Sequence, residues 1–95
     1  MADQPQQRSN LKVGVKPVDV EIVSEPYVVM SFRGYAPVID VQGPDGKQIL
    51  FISAKSISEG LEPLRLANGG KFLGLKLRLR KETDDRMAPY IVEKV

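Results

Sequence analysis

The sequence predicts a mainly β protein, a small antiparallel barrel with one short helix between its third and fourth barrel strands. Three observations carry this expectation. Apolar and polar residues alternate with period two over 11–22, with one slip, and over 71–81, and 35–42 and 47–53 also read as strands. The stretch "GPDG" at 43–46 has the chemistry of a hairpin turn between two of these runs. Only 54–70 shows helical spacing instead. Many short strands with glycine-rich turns and a single helix favour a small barrel.

The first ten residues, "MADQPQQRSN", are polar and offer no apolar face, so 1–10 is expected to be a flexible arm before a single domain at 11–95. In "LKVGVKPVDVEIV" the alternation runs through Leu11, Val13 and Val15, then resumes one residue out of phase at Val18, Val20 and Ile22. A slip of one turns side chains to the other face, so a bulge or bend is expected near Gly14 and Pro17, giving one bent strand or two short ones. "SEP" at 24–26 interrupts the pattern. "YVVMSFR" then reads as an additional strand with Val28, Met30 and Phe32 on one face.

"YAPVIDVQ" is the next strand, with Pro37 confining part of it to an edge or a bulge. A three-residue loop at Pro44-Asp45-Gly46 would pair Gly43 with Lys47, Val41 with Ile49 and Ile39 with Phe51. In "AKSISEGLEPLRLANGG", Ser56 and Glu59 have capping-box spacing and "NGG" is a stop signal, but Pro63 argues for a short helix from about Glu62 or for two turns. A long strand over 71–81, a charged loop at 81–86 and a short strand within 88–95 close the chain.

The order of these elements resembles the OB-fold superfamily. The likeness lies in the bent start "LKVGVKPVDVEIV", the hairpin "PVIDVQGPDGKQILFIS", the connector "SISEGLEPLRLANGG" and the closing pair "KFLGLKLRLRK" and "PYIVEKV". It rests on order of elements rather than on a motif, and the strand at 27–33 departs from it. An SH3-like barrel is the alternative; it would have a shorter 3₁₀ turn where this chain has 54–70.

Composition removes whole classes of chemistry. The chain has neither cysteine nor histidine, so thiolate ligands, disulfides and the commonest neutral-pH base are absent. The serines therefore have no histidine to activate them, and "SAKS" at 53–56 is too short to define a Ser–Lys dyad. Asp19 with Glu21, and Asp84 with Asp85, read as a strand's solvent face and a surface loop rather than metal or acid–base pairs. "GPDG" and "NGG" lack the spacing of phosphate-binding loops. No catalytic residue, metal site or cofactor is expected, and an enzyme is not. No apolar run reaches the roughly 18 residues of a membrane span, and the N-terminus lacks a signal-peptide core. The reading is cytoplasmic, with no membrane partner.

The stretch "GKFLGLKLRLRK" carries the functional expectation. Alternation puts Leu73, Leu75, Leu77 and Leu79 inward and Phe72, Lys76, Arg78 and Arg80 together on the other face. An aromatic ring in line with cations suits single-stranded DNA or RNA, with phosphates meeting the cations and a base stacking on the ring. The alternative is a solvated strand face with Phe72 buried at a barrel end. Phe32 and Phe51 fall in apolar phase and are expected in the core, while Tyr27, Tyr35 and Tyr90 suit a rim.

If the OB resemblance holds, it implies ligand near 35–53, adding Tyr35 as a stacking platform and Lys47 as a secondary phosphate contact. The leading expectation is thus a single-stranded nucleic-acid-binding protein of low sequence specificity, most simply for single-stranded DNA, or an accessory subunit of one. Net charge of only +2 limits affinity. The second is a protein–protein interaction or assembly module using a small β-barrel with a basic strand.

Overall fold

The computed structural model describes residues 10–32 and 34–95. The chain is mainly β, with elements in the order β1 (Val18–Ile22), β2 (Tyr27–Ser31), β3 (Gly34–Gly43), β4 (Gly46–Phe51), α1 (Lys55–Ala67), β5 (Lys76–Lys81) and β6 (Tyr90–Lys94). All six strands join one sheet through antiparallel pairs, in the order β2-β3-β1-β5-β6, with β4 also on β3. The sheet is not closed into a barrel by strand pairing: β4 and β6 do not pair. The segment that begins the described chain links β4 to the end of β5 instead. Asn10 forms a parallel bridge to Ile49, Leu11 donates its N–H to the Ile49 carbonyl at 2.8 Å, and Lys81 donates to the Gly14 carbonyl at 2.7 Å. The expected arm at 1–10 falls outside the described residues except for Asn10.

The phase slip in 11–22 is real: regular strand begins only at Val18, after a bend at 15–16 and Pro17. Val20 and Ile22 of β1, Ile39 and Val41 of β3, Leu50 of β4, and Leu75, Leu77 and Leu79 form the buried core with Ile57 and Leu61 of α1. The connector Ser24-Glu25-Pro26 is pinned from two sides. The Ser24 hydroxyl accepts the Asp40 N–H, the Tyr27 hydroxyl donates to the Asp40 carboxylate at 2.6 Å, and the Glu25 carboxylate accepts the N–H groups of Phe72 and Leu73.

Four expectations are corrected. The β3–β4 hairpin pairs Gly43 with Gly46, one residue away from the expected register, so Val41 faces Gln48 and Ile39 faces Leu50. Leu50 is therefore the buried residue of β4, while Ile49 and Phe51 are only half-buried. The helix is one continuous piece from Lys55, with Ala54 as its N-cap and no side-chain cap, and Pro63 lies within it. A proline there costs about 3 kcal/mol; burial of Ile57 and Leu61 against the sheet offsets it. The strand expected over 71–81 starts only at Lys76. Gly74 has φ +95°, and residues 71–75 form a turn that leaves Leu73 exposed. Phe32, expected in the core, is fully exposed.

Helix α1 packs on β6 through Gly60. A Cβ built there would lie 2.8 Å from Val92 Cβ and 2.9 Å from its Cγ2. Alanine is the better helix former by about 1 kcal/mol, yet Gly60→Ala is expected to destabilise the protein, because overpacking costs about 1–3 kcal/mol. Chemical denaturation of Gly60→Ala alone and in a Val92→Ala background checks this; the penalty should vanish in the double variant.

Candidate functional site

Two surfaces stand out, and they differ in chemistry. The first is the outer face of β1, β5 and β6, which holds the expected cationic row. Lys76 and Arg78 project outward from β5, and Arg80 is half-buried. Cross-strand register decides what they meet. Lys76 lies opposite Glu21, and Arg78 lies opposite Asp19 on one side and Glu93 on the other. Arg80 lies opposite Ile91.

The Arg78 guanidinium makes a two-pronged bond to Asp19, with Nε to Oδ1 at 2.7 Å and Nη2 to Oδ2 at 3.1 Å. The hydrogen bond from Arg78 holds the Asp19 carboxyl below its usual range, and Asp19 in turn raises the Arg78 pKa. Three cations thus share the face with three carboxylates; Arg78 is ion-paired to Asp19, Lys76 lies across from Glu21, and Arg80 has an apolar residue opposite it. Lys81, at the end of the strand, places its ammonium 5.8 Å from the Tyr90 ring centre.

The remaining expected site residues are scattered. Phe72 lies outside β5, in the 71–75 turn, half-buried against the core, so it does not join the cationic row. Lys47 is exposed near the β3–β4 turn, opposite Gln42, while Tyr35 is near the other end of β3, opposite Met30. Strand β1 separates β3 from β5. Lys76, Arg78 and Arg80 are brought together; Tyr35, Lys47 and Phe72 are not brought to them.

The second surface is the β2–β3 hairpin. Pairing runs from Tyr27↔Val38 to Ser31↔Gly34. Strand β4 reaches along β3 only as far as Val38, so residues 34–37 continue past β4 with β2. Val28 and Met30 share a face with Pro37 and Tyr35. On that face Val28 is 60%, Met30 66% and Tyr35 74% exposed, with Phe32 at the tip. The alternation of 27–33 gave the shared face from sequence, but not its exposure: the pattern of a core strand and of an exposed apolar one is the same.

Among the described residues no polar or charged residue is buried, and no group of three acidic side chains could hold a metal ion. A cleft of about 230 Å³ between Leu11, Val13, Phe51, Ile57 and Tyr90 lies at the open seam, smaller than the roughly 300–1,000 Å³ typical of ligand pockets. No helix is long and apolar enough to cross a membrane among the described residues. Comparison with protein-family models, with curated proteins and with solved structures finds no match to the chain.

The Asp19–Arg78 pair gives a pH signature. A depressed carboxyl pKa contributes stability that is fully present above the unfolded value of about 3.9 and is lost as pH falls through the folded value. The Asp19 carboxyl, followed by NMR, is expected to titrate below the ordinary range and to return to it in Arg78→Gln. An unchanged midpoint in that variant would show that the pair does not hold in solution.

Proposed function

We propose that the protein is a non-catalytic binding module whose working surface is the β2–β3 hairpin and whose ligand is another polypeptide. The observation behind this reading is the exposure of Val28, Met30, Phe32 and Tyr35 together on one hairpin. Neither β2 nor residues 34–38 of β3 carry a charge; Arg33 is the one charged residue in 27–38. A contiguous exposed apolar patch of this kind is a feature of docking sites, and a strand edge adds main-chain hydrogen bonds to a partner. The cationic row supports no competing track, because Asp19, Glu21 and Glu93 share its face.

We also read the sheet as an open form of an OB-like barrel. In support, β3 pairs with both β1 and β4, β1 with β5 and β5 with β6, and residues 10–14 bond to Ile49 of β4 and Lys81 of β5. On that reading the hairpin occupies the loop between the first two barrel strands, where OB-folds hold ligand. The exposed Phe32 and Tyr35 rings then favour single-stranded nucleic acid as a second ligand class, through stacking.

Selection from a random-peptide library tests the first reading against the second. Binding of uncharged extended peptides, insensitive to salt and lost in Phe32→Ser or Met30→Lys, is the expected result. A single-stranded oligonucleotide whose affinity falls steeply with salt, and falls again in Phe32→Ser and Arg80→Gln, would replace it with the nucleic-acid reading. Binding unaffected by any hairpin variant would overturn both.

A further inference from the structure

Asparagine occurs twice in the chain, at 10 and 68, and only Asn68 is followed by glycine, in "ANGG". A glycine at the next position has no side chain to shield its peptide nitrogen and leaves the backbone free to turn. That nitrogen can then reach the asparagine side-chain carbonyl carbon. Asn10 is followed by Leu11, whose branched side chain hinders the same approach.

In the fold Asn68 is a clasp. It is the C-cap of α1. Its side-chain amide donates to the Lys71 carbonyl at 2.8 Å and to the Leu73 carbonyl at 3.2 Å. From the opposite sense, the Glu25 carboxylate accepts the N–H groups of Phe72 and Leu73. Residues 71–73 are thus held by one side chain that only donates to them and one that only accepts. Asn68 is half-buried, and Gly69 and Gly70 are exposed, so water reaches the site.

We infer that Asn68 is a site of spontaneous deamidation, gated by this turn, and that the reaction undoes the clasp. The Gly69 N–H loses its proton to solvent base, and its nitrogen bonds to Cγ of Asn68. The Cγ–Nδ2 bond breaks, and the departing nitrogen takes a proton from water and leaves as ammonia. Water then adds to either carbonyl carbon of the cyclic imide. The ring opens to aspartate, or to isoaspartate with the chain rerouted through the side chain. Water is the only co-reactant, and nothing is oxidised or reduced.

The gate follows from the leaving group. Nδ2 is the atom that bonds Lys71 and Leu73, so ammonia departs only after both bonds break. Reaction therefore proceeds from the fraction of molecules in which the turn is open. The product cannot close it again. A carboxylate has no proton to donate to the two carbonyls, and it brings a second negative charge to a turn that already holds Glu25. This chemistry does not depend on what the β2–β3 hairpin binds.

Trypsin cuts after Arg65 and Lys71, releasing residues 66–71 with Asn68 inside. Mass spectrometry of that peptide, after the folded protein has stood in mildly alkaline buffer, follows the conversion. Asn68 is expected to deamidate at least about tenfold more slowly than in the free synthetic peptide, as the loss of two hydrogen bonds requires, while Asn10 stays intact. Glu25→Gln, which loosens the turn from its other side, is expected to bring the rate towards that of the peptide. Asn68→Asp, made directly, is expected to lower the thermal midpoint and to speed amide exchange at Phe72 and Leu73 while β1 and β5 keep their protection. Equal rates in protein and peptide overturn the gate. An intact Asn68 in both the protein and Glu25→Gln, once the free peptide has fully converted, overturns the site. Unchanged exchange at Phe72 and Leu73 in Asn68→Asp overturns the clasp.

Discussion

Strand β3 is the constraint on which the molecule depends. Its ten residues serve two structures at once. From Val38 to Val41 it lies in the core, with β4 on one edge and, on the other, β2 at Val38 and β1 at Val41. Among the described residues, Gly34 to Ala36 pair with β2 alone, and Pro37 also accepts the Ile52 N–H. Pairing on both edges satisfies the peptide groups of the second half and pairing on one edge those of the first half that face β2, but the apolar core ends where β4 ends. The side chains of the first half keep a strand's alternation without a sheet or helix to cover them. The exposure of Val28, Met30 and Tyr35 follows from that mismatch in length.

The connector between β1 and β2 is tied to the sheet on both sides. Ser24, Glu25 and Pro26 would leave polar groups unpaired as a simple break in a strand. Instead, Ser24 accepts from Asp40, and Tyr27 bonds the same residue's carboxylate. Glu25 takes two N–H groups of the turn before β5. The hairpin is therefore tied at its base to β3 and to the β5 entry. Preorganisation of this kind lowers the ordering cost of binding an extended partner.

Charge follows the same logic. Lys76, Arg78 and Arg80 share one face of β5, as their spacing requires. Their availability is set by the strands on either side, which bring Glu21 opposite Lys76, Asp19 and Glu93 opposite Arg78, and Ile91 opposite Arg80. A carboxylate that accepts both prongs of Arg78 leaves it fewer donors for a phosphate. The face reads as solvent surface paired at Arg78, and the hairpin, with Arg33 as the one charge in 27–38, is the more distinctive feature.

Period-two alternation, turn residues and the single helical stretch determined which segments form strands and where the helix stops. They also placed Leu75, Leu77 and Leu79 inward and the cations outward, because these properties are local to a few consecutive residues. The register of the β3–β4 hairpin was not settled locally: the turn's chemistry was recognised, but a shift of one residue put Leu50 rather than Ile49 and Phe51 in the core. Pro63 argued against a continuous helix, and burial of Ile57 and Leu61 outweighed it. Gly74 ended the alternation of 71–81 early, so Phe72 left the cationic row and Leu73 left the core. What only the tertiary structure decided is which faces have neighbours. Whether Phe32 is core or surface, and whether Arg78 is free or paired, depends on contacts between residues distant in the chain. No spacing along one strand encodes what lies across from it.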